Sequence, residues 1–142
     1  MTNGNIAVEE RPTWWQIVIT AAPRVGNLFW CKFNEPKLVP LPEMWKERPV
    51  VVIGNRNLVL KGSSLVVPVS TDTQEGNKWA FKLPAYITDK IEGRESWAIG
   101  DHLVTVSNSR LRQMGGGSLK LKDGDFNALL ALVLDCLPKV RP

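Results

Sequence analysis

Two stretches of the sequence end in residues that could act together on a phosphate group. Arg48 precedes a proline and then a run of β-branched residues, 50–53, which is typical of a strand buried on both faces. A second apolar run, residues 63–69, ends at Ser70 and Thr71. If the two runs form neighbouring strands, the guanidinium of Arg48 and a hydroxyl of Ser70 or Thr71 meet at one edge of the sheet.

Such a pair suits the cleavage of RNA by its own 2′-hydroxyl group, a reaction that needs little from a protein. The phosphate must be held, its growing charge must be stabilised, and a proton must be moved. An arginine fork suits the first two tasks, and a hydroxyl can bind phosphate oxygens and relay a proton, although alone it is a poor base. The alternative is a surface arginine beside a strand, with residues 70–72 forming only a turn.

Other catalytic chemistries find little support in the sequence. The single histidine, His102, directly follows Asp101, and adjacent residues on a strand point to opposite faces, which disfavours a nucleophilic triad. With two cysteines, Cys31 and Cys136, the chain lacks the roughly four ligands of a zinc site. We therefore predict no metal and no cofactor. Glycines 115–117 lack the Lys-Ser/Thr of a phosphate-binding loop and read as a hinge.

The composition indicates one globular domain. The chain has 142 residues, 44% of them hydrophobic, and its net charge of +4 permits an anionic partner such as RNA or an acidic protein. Two distant cysteines without a spacing pattern indicate core thiols in a reducing compartment. Residues 1–11 contain no signal-peptide apolar region, and no apolar run approaches the length of a membrane span. We expect a soluble, cytoplasmic protein.

The apolar patterns predict an α+β fold of five or six short strands, one long C-terminal helix and an N-terminal helix. The N-terminal helix, residues 14–22, follows a capping box, although residues 17–20 would also fit a strand. Residues 34–47 form a long loop with three prolines, and long ordered loops are often functional. The predicted strands are residues 27–33, 50–53, 63–69, 78–83, 96–99 and 103–106.

The C-terminal helix is predicted from a helical repeat of apolar residues that would form one buried stripe. Asp123 or Asp125 would cap its beginning, and Pro138 would close it. The stripe consists of Phe126, Leu129, Leu130, Val133, Leu134 and Leu137.

Three segments, in this order, resemble the MazF/PemK family of bacterial type II toxins. Residues 25–33 resemble the family's opening Gly-Asp-hydrophobic-Trp strand, and residues 46–53 resemble its Arg-Pro-hydrophobic motif, with Glu43 upstream. Residues 66–71 match its Pro-x-Thr/Ser-Ser/Thr motif. A weaker fourth segment, residues 99–111, is similar to the family's Asp-Gln-hydrophobic stretch ending in Arg-Leu.

The resemblance implies a small SH3-like β-barrel with helices, of the type shared by MazF, PemK and CcdB. It implies a homodimer that cleaves single-stranded RNA, including mRNA, at short sequences, and that is bound by a cognate acidic antitoxin. On this basis we expect a single domain over residues 1–142. Residues 1–24 would form an N-terminal extension, and residues 25–142 the toxin barrel.

The resemblance also assigns the site. Arg48 falls at the family's catalytic arginine and Ser70 at its catalytic hydroxyl, with Thr71 as a second hydroxyl. Asp101 falls where some PemK members place a catalytic acid. The expected RNA contacts are Glu43, Trp45, Lys46, His102 and Arg110.

Four positions depart from the family pattern. Ile99 stands where PemK-type members carry an arginine two residues before the acid, and Pro42 stands where some members carry a histidine. Asn27 replaces an early acidic residue, and His102 replaces the usual glutamine. These departures favour an arginine-plus-hydroxyl mechanism over the PemK triad.

Two other functions stay open from the sequence. A CcdB-like gyrase poison of the same fold would bind protein and cleave nothing, so Arg48 and Ser70 would have no reason to converge. A non-catalytic module for single-stranded RNA would use Trp45, Lys46 and Arg110 to stack on and grip the strand.

Overall fold

The computed structural model of the chain describes residues 23–33 and 47–141, and within them it contains eight strands and three α-helices. The helices are α1 (Arg56–Leu60), α2 (Ala85–Ile91) and α3 (Asp123–Asp135). Two 3-10 turns, Gly100–His102 and Asn108–Arg110, flank the sixth strand. The strands are β1 (Asn27–Lys32), β2 (Glu47–Val52), β3 (Ser63–Ser70), β4 (Ala80–Lys82), β5 (Trp97–Ile99), β6 (Val104–Ser107), β7 (Leu111–Arg112) and β8 (Leu119–Lys120).

All strand pairs are antiparallel and belong to one sheet with the order β4-β5-β3-β2-β1-β7. Strand β6 also pairs with β3, and β8 also pairs with β1, so β1 and β3 each have three partners. The α+β class and the C-terminal helix are confirmed. The pairings among the described residues leave the sheet open rather than closing it into a complete barrel.

The consecutive valines of β2 alternate between two apolar clusters on opposite faces of the sheet. Val51 packs with Leu28 and Val67 in a cluster that also contains Leu129 and Val133 of α3. Its neighbours on β2 belong to the second cluster, which consists of Phe29, Cys31, Phe33, Val50, Val52, Val59, Val66, Val106 and Leu111. Because both faces are covered, the strand has no polar side, as the unbroken β-branched run predicted.

Two of the three helices, α1 and α2, were not predicted from the sequence. Helix α1 lies between the strands predicted at residues 50–53 and 63–69, and α2 lies between those predicted at 78–83 and 96–99, where no helix was predicted. Helix α2 has only seven residues between Pro84, its N-cap, and Gly93. Such a short segment, bounded by a proline and a glycine, does not show a clear helical period.

Two predictions about helix α3 were wrong. Its N-cap is Lys122, whose side chain forms no capping hydrogen bond. Asp123 and Asp125 lie in the first turn, where a carboxylate interacts favourably with the helix dipole. The apolar stripe is also only partly buried, since Leu134 is 59% exposed and Leu137 is 45% exposed. Leu134 lies one residue beyond the buried Val133, roughly 100° around the axis, and therefore points away from the sheet.

Several predicted features lie outside the described residues. These are the N-terminal helix of residues 14–22, most of the loop of residues 34–47, and the RNA contacts Glu43, Trp45 and Lys46. In residues 23–33 and 47–141, no helix combines the length and hydrophobicity that crossing a bilayer requires.

Candidate active site

The pairing of β2 with β3 positions the side chains of Arg48 and Ser70. Val50 lies opposite Pro68, and Val51 opposite Val67. Continued by two residues, the same register puts Arg48 across from Ser70. Directly opposite residues in an antiparallel pair point to the same face, with Cβ atoms roughly 4.5–5.5 Å apart. The strand ends therefore bring the guanidinium and the hydroxyl to one edge of the sheet.

Ser70 is the last residue of β3 and is only 7% exposed. Its Oγ accepts a hydrogen bond from the backbone N–H of Asp72 at 3.0 Å. This bond closes a local turn at the point where the chain leaves the strand, and it orients the hydroxyl oxygen. Residues 70–72 thus form a turn, and the same turn fixes the position of the hydroxyl at the edge of the sheet.

Two clefts open at this edge, and they share Arg48, Val69, Ser70 and Asp72. The first, which we call the α2 cleft, has a volume of about 280 Å³ and extends towards the end of helix α2. Its other lining residues are Trp30, Glu47, Pro49, Thr71, Ile91, Glu92, Arg94 and Ser96. The second, the His102 cleft, has a volume of about 340 Å³, and its other lining residues are Pro68, Gln74, Ile99 and His102.

The structure separates the two adjacent residues Asp101 and His102. His102 lines the second cleft together with Arg48 and Ser70. Asp101 lines neither cleft; it is exposed, and its Oδ1 accepts a hydrogen bond from Asn77 Nδ2 at 3.1 Å.

Asn77 links Asp101 to the loop that follows β3. Its Nδ2 also donates to Gln74 Oε1 at 3.2 Å, and its Oδ1 accepts from the backbone N–H of Trp79 at 3.0 Å. The indole of Trp79 in turn donates to Asp135 of α3 at 3.1 Å. Since Gln74 lines the His102 cleft, Asp101 supports one wall of that cleft through Asn77.

Arg110, expected to contact RNA, has structural contacts here. Its Nη1 donates to the backbone carbonyls of Lys32 at 3.2 Å and Phe33 at 3.0 Å. It therefore holds the end of β1, and it lines neither cleft.

Two further side chains near Arg48, those of Cys31 and Glu47, are not available as a nucleophile or a base. Cys31 lies opposite Arg48 in the β1–β2 register, and its burial raises the pKa of its thiol to about 12, so no thiolate nucleophile forms there near neutral pH. Glu47 forms an ion pair with Arg112, and this hydrogen-bonded carboxylate raises the pKa of the Arg112 guanidinium. In the described part of the chain, no three His, Cys, Asp or Glu side chains cluster as metal ligands would.

Sequence reasoning missed several residues that line the clefts, including Trp30, Asp72, Gln74, Glu92 and Arg94. Glu92 and Arg94 follow helix α2, which the sequence did not predict. The Gly76-Asn77 turn was a signal that the preceding loop folds back, but it did not show which side chains would reach the site.

A family model described as PemK-like, MazF-like toxin of type II toxin-antitoxin system matches residues 24–134. The chain belongs to this PemK/MazF toxin family. The matched residues include the whole Arg48–Ser70 edge and most of helix α3. A search of proteins with curated functions found no match.

Solved structures of MazF toxins share the fold of this family member. MazF from Deinococcus radiodurans superposes with a TM-score of 0.64 at 18% identity, covering 82% of this chain and 97% of the other. An endoribonuclease from a mycobacterial species, solved with its cognate antitoxin, gives 0.60 at 12% identity, covering 84% and 100%. The Mycobacterium tuberculosis toxin MazF-mt6 gives 0.54 at 16% identity, covering 75% and 92%.

Proposed function

We propose that this PemK/MazF toxin is a metal-independent endoribonuclease that cleaves single-stranded RNA, including mRNA, at short sequences. The observation that carries the proposal is the shared position of Arg48 and Ser70, which line the same two clefts at the ends of paired strands. A poison that only bound gyrase would not require a guanidinium and a hydroxyl to converge. One structural neighbour, from a mycobacterial species, is an endoribonuclease, which supports this function.

In the proposed reaction, the 2′-hydroxyl oxygen attacks the adjacent phosphorus and the 5′-oxygen of the next nucleotide leaves. The products are a 2′,3′-cyclic phosphate and a free 5′-hydroxyl, and water takes no part in the bond change. Arg48 holds the non-bridging oxygens and stabilises the charge of the transition state. Ser70 hydrogen-bonds the phosphate and helps to pass the proton from the attacking to the leaving oxygen, with Thr71 as a second hydroxyl.

The remaining candidate residues receive supporting roles. His102, in the second cleft, would contact the RNA on one side of the scissile phosphate. Glu43, Trp45 and Lys46, which precede β2 in the sequence, would also contact the RNA. Asp101 would act through Asn77 and the loop after β3 rather than as the catalytic acid that the resemblance implied.

We propose an acidic antitoxin and a second copy of this chain as protein partners. MazE–MazF complexes from Deinococcus radiodurans are among the structural neighbours, as is the mycobacterial endoribonuclease with its antitoxin. The net charge of +4 favours an acidic partner. A partly disordered antitoxin segment that folds on binding could cover the clefts beside Arg48.

The test is to incubate purified protein with a long RNA of mixed sequence in the presence of EDTA and to map the new ends. We expect cleavage at short recurring sequences, leaving 2′,3′-cyclic phosphate and 5′-hydroxyl ends. Loss of activity with EDTA would contradict a metal-independent mechanism. RNA binding without cleavage would favour the non-catalytic module, and inhibition of gyrase supercoiling without RNA cleavage would favour the gyrase poison.

A further inference from the structure

The far end of the α2 cleft contains side chains that the proposed cleavage reaction does not use. Glu92 is the C-cap of helix α2, and Arg94 follows after Gly93, whose φ of 68° suits glycine. Two hydrogen bonds hold this turn: Gly93 N–H donates to Thr88 O at 2.7 Å, and Ser96 Oγ donates to Arg94 O at 2.9 Å. A carboxylate and a guanidinium are therefore carried two residues apart on a fixed turn.

The charges of the α2 cleft are mixed, which argues against a site for phosphate alone. Glu47 is already paired with Arg112 outside this turn. Among the described residues, neither Glu92 nor Arg94 has an ion pair of its own, whereas their neighbour Glu95 pairs with Lys82 at 3.1 Å. The charged lining consists of Arg48, Arg94, Glu47, Asp72 and Glu92.

A nucleobase with both donors and acceptors would satisfy this turn better than a second phosphate. Guanine offers O6 and N7 to an arginine fork, which is the commonest specific arginine–base contact. Its Watson–Crick edge offers N1–H and the exocyclic amino group, which a carboxylate can accept together. Adenine, cytosine and uracil each lack at least one of these two bidentate pairings.

The size and walls of the cleft fit a single base. Its volume of about 280 Å³ lies just below the roughly 300–1,000 Å³ of pockets for drug-sized ligands. Trp30 and Ile91 supply apolar surface, and both pack partly against the core. Because Arg48 and Ser70 line the same cleft, a base held here belongs to a nucleotide next to the phosphate that they contact.

We propose that the α2 cleft is a guanine-reading subsite beside the scissile phosphate, with Glu92 and Arg94 as its specificity-determining residues. This inference rests on the proposed function for the position of the phosphate. It adds a chemical reason for sequence preference that the Arg48–Ser70 pair alone does not supply, since a phosphate contact carries no sequence information.

The first experiment maps cleavage in a library of RNA oligonucleotides randomised around the cleaved bond. We expect wild-type protein to require guanine at one fixed position beside that bond. Glu92→Gln and Arg94→Ala should each reduce the preference for guanine by about 10-fold to 100-fold, the usual range for a lost bidentate base contact. The matched controls are Glu95→Gln and Lys90→Ala, which change neighbouring exposed charges that line neither the α2 cleft nor the His102 cleft. Both controls should keep the preference for guanine.

The second experiment measures binding independently of cleavage. Oligonucleotides with a 2′-deoxy sugar at the cleavage position lack the nucleophile, and they carry guanine, inosine or adenine at the tested position. Inosine lacks the exocyclic amino group, so wild-type protein should bind it more weakly than guanine, and Glu92→Gln should remove most of this difference. If wild-type protein binds these probes selectively but cleaves no RNA, the subsite stands and the proposed catalytic function falls.

Two results would overturn the subsite. One is equal binding of guanine, inosine and adenine probes by wild-type protein. The other is a uniform loss of cleavage and binding across all sequences in Arg94→Ala, which would make Arg94 a phosphate contact.

Discussion

Ser64 and Ser70 lie on the same face of strand β3 but differ in the hydrogen-bond partners of their hydroxyl groups. Ser64 is 0% exposed, and its hydroxyl donates to Asn108 Oδ1 at 2.6 Å, while Asn108 Nδ2 donates to the carbonyl of Val59 at 2.9 Å. Ser70 is also largely buried, but within the described residues its Oγ accepts a single hydrogen bond, from a turn N–H, and the residue lines two clefts beside Arg48. Burial does not distinguish the two serines; the partners of each hydroxyl do.

The largest expected effect comes from Arg48, opposite the cleft-facing serine. Arg48→Ala should lower RNA cleavage by about 10²–10³-fold, because an electrostatic donor to the transition state is lost. Arg48→Lys should lose nearly as much cleavage activity, since lysine keeps the positive charge but cannot form the two parallel hydrogen bonds of a guanidinium. Rates of oligonucleotide cleavage measure both. Arg56→Ala, an exposed arginine on helix α1, is the control, and full cleavage by Arg48→Ala would remove Arg48 from the mechanism.

Ser70→Ala should reduce cleavage by about 10²-fold, at the low end for a group that assists proton transfer. Its thermal unfolding midpoint should stay close to that of wild-type protein, because only one turn hydrogen bond is lost. Cleavage rates and thermal unfolding of the same preparation provide the measurement. A stable but fully active variant would assign Ser70 to the turn alone.

Ser64→Ala should show the reverse pattern. Removing the donor leaves a partly buried amide oxygen of Asn108 without its partner, which should cost about 1–3 kcal/mol in the free energy of unfolding. Cleavage per folded molecule should be unchanged under conditions where the variant is folded. Urea unfolding measures the first quantity. If cleavage fell as far as in Ser70→Ala, the division between the two ends of β3 would be wrong.

A smaller effect on RNA cleavage is expected at Asp101, which supports the loop after β3 through its hydrogen bond with Asn77. Asp101→Asn keeps an oxygen for Asn77 and should retain near wild-type cleavage. Asp101→Ala should lose about 3-fold to 10-fold, in line with one hydrogen bond. Parallel cleavage rates separate the two roles, because a catalytic acid of the PemK type would make both variants equally inactive.

The smallest effect concerns Cys31, a buried thiol that lies opposite Arg48 in the β1–β2 register. Its pKa in the folded protein, about 12, lies above the ordinary value of 9.0. The protonated thiol therefore stabilises the fold fully below about pH 9, and this contribution is lost as pH rises towards 12. At about pH 8, iodoacetamide should label the partly exposed Cys136 and leave native Cys31 unmodified, as peptide mass spectrometry would show. Labelling of Cys31 with loss of cleavage would give the thiol a role.

The site edge could be predicted from sequence because valine runs define β2 and β3 without ambiguity. Adjacent antiparallel pairing then brings Arg48 to Ser70. The far wall of the α2 cleft could not be predicted, since helix α2 is short and lies between Pro84 and Gly93. The sequence predicted that the adjacent residues Asp101 and His102 would point in different directions, but it did not predict that residues 100–102 form a 3-10 turn rather than the start of a strand.

Strand β1 lies between β2 and the late strands β7 and β8, with Leu28 opposite both Val51 and Leu119. During synthesis, chains grow at about 5–20 residues per second, and sheets with distant pairings fold slowly. Strand β1, which pairs with the strand that carries Arg48, therefore lacks two of its three partner strands on the ribosome until residue 120 has emerged. We expect a ribosome-bound chain to be harmless to the message that encodes it, and an interval in which a partner can capture the new toxin before it becomes active.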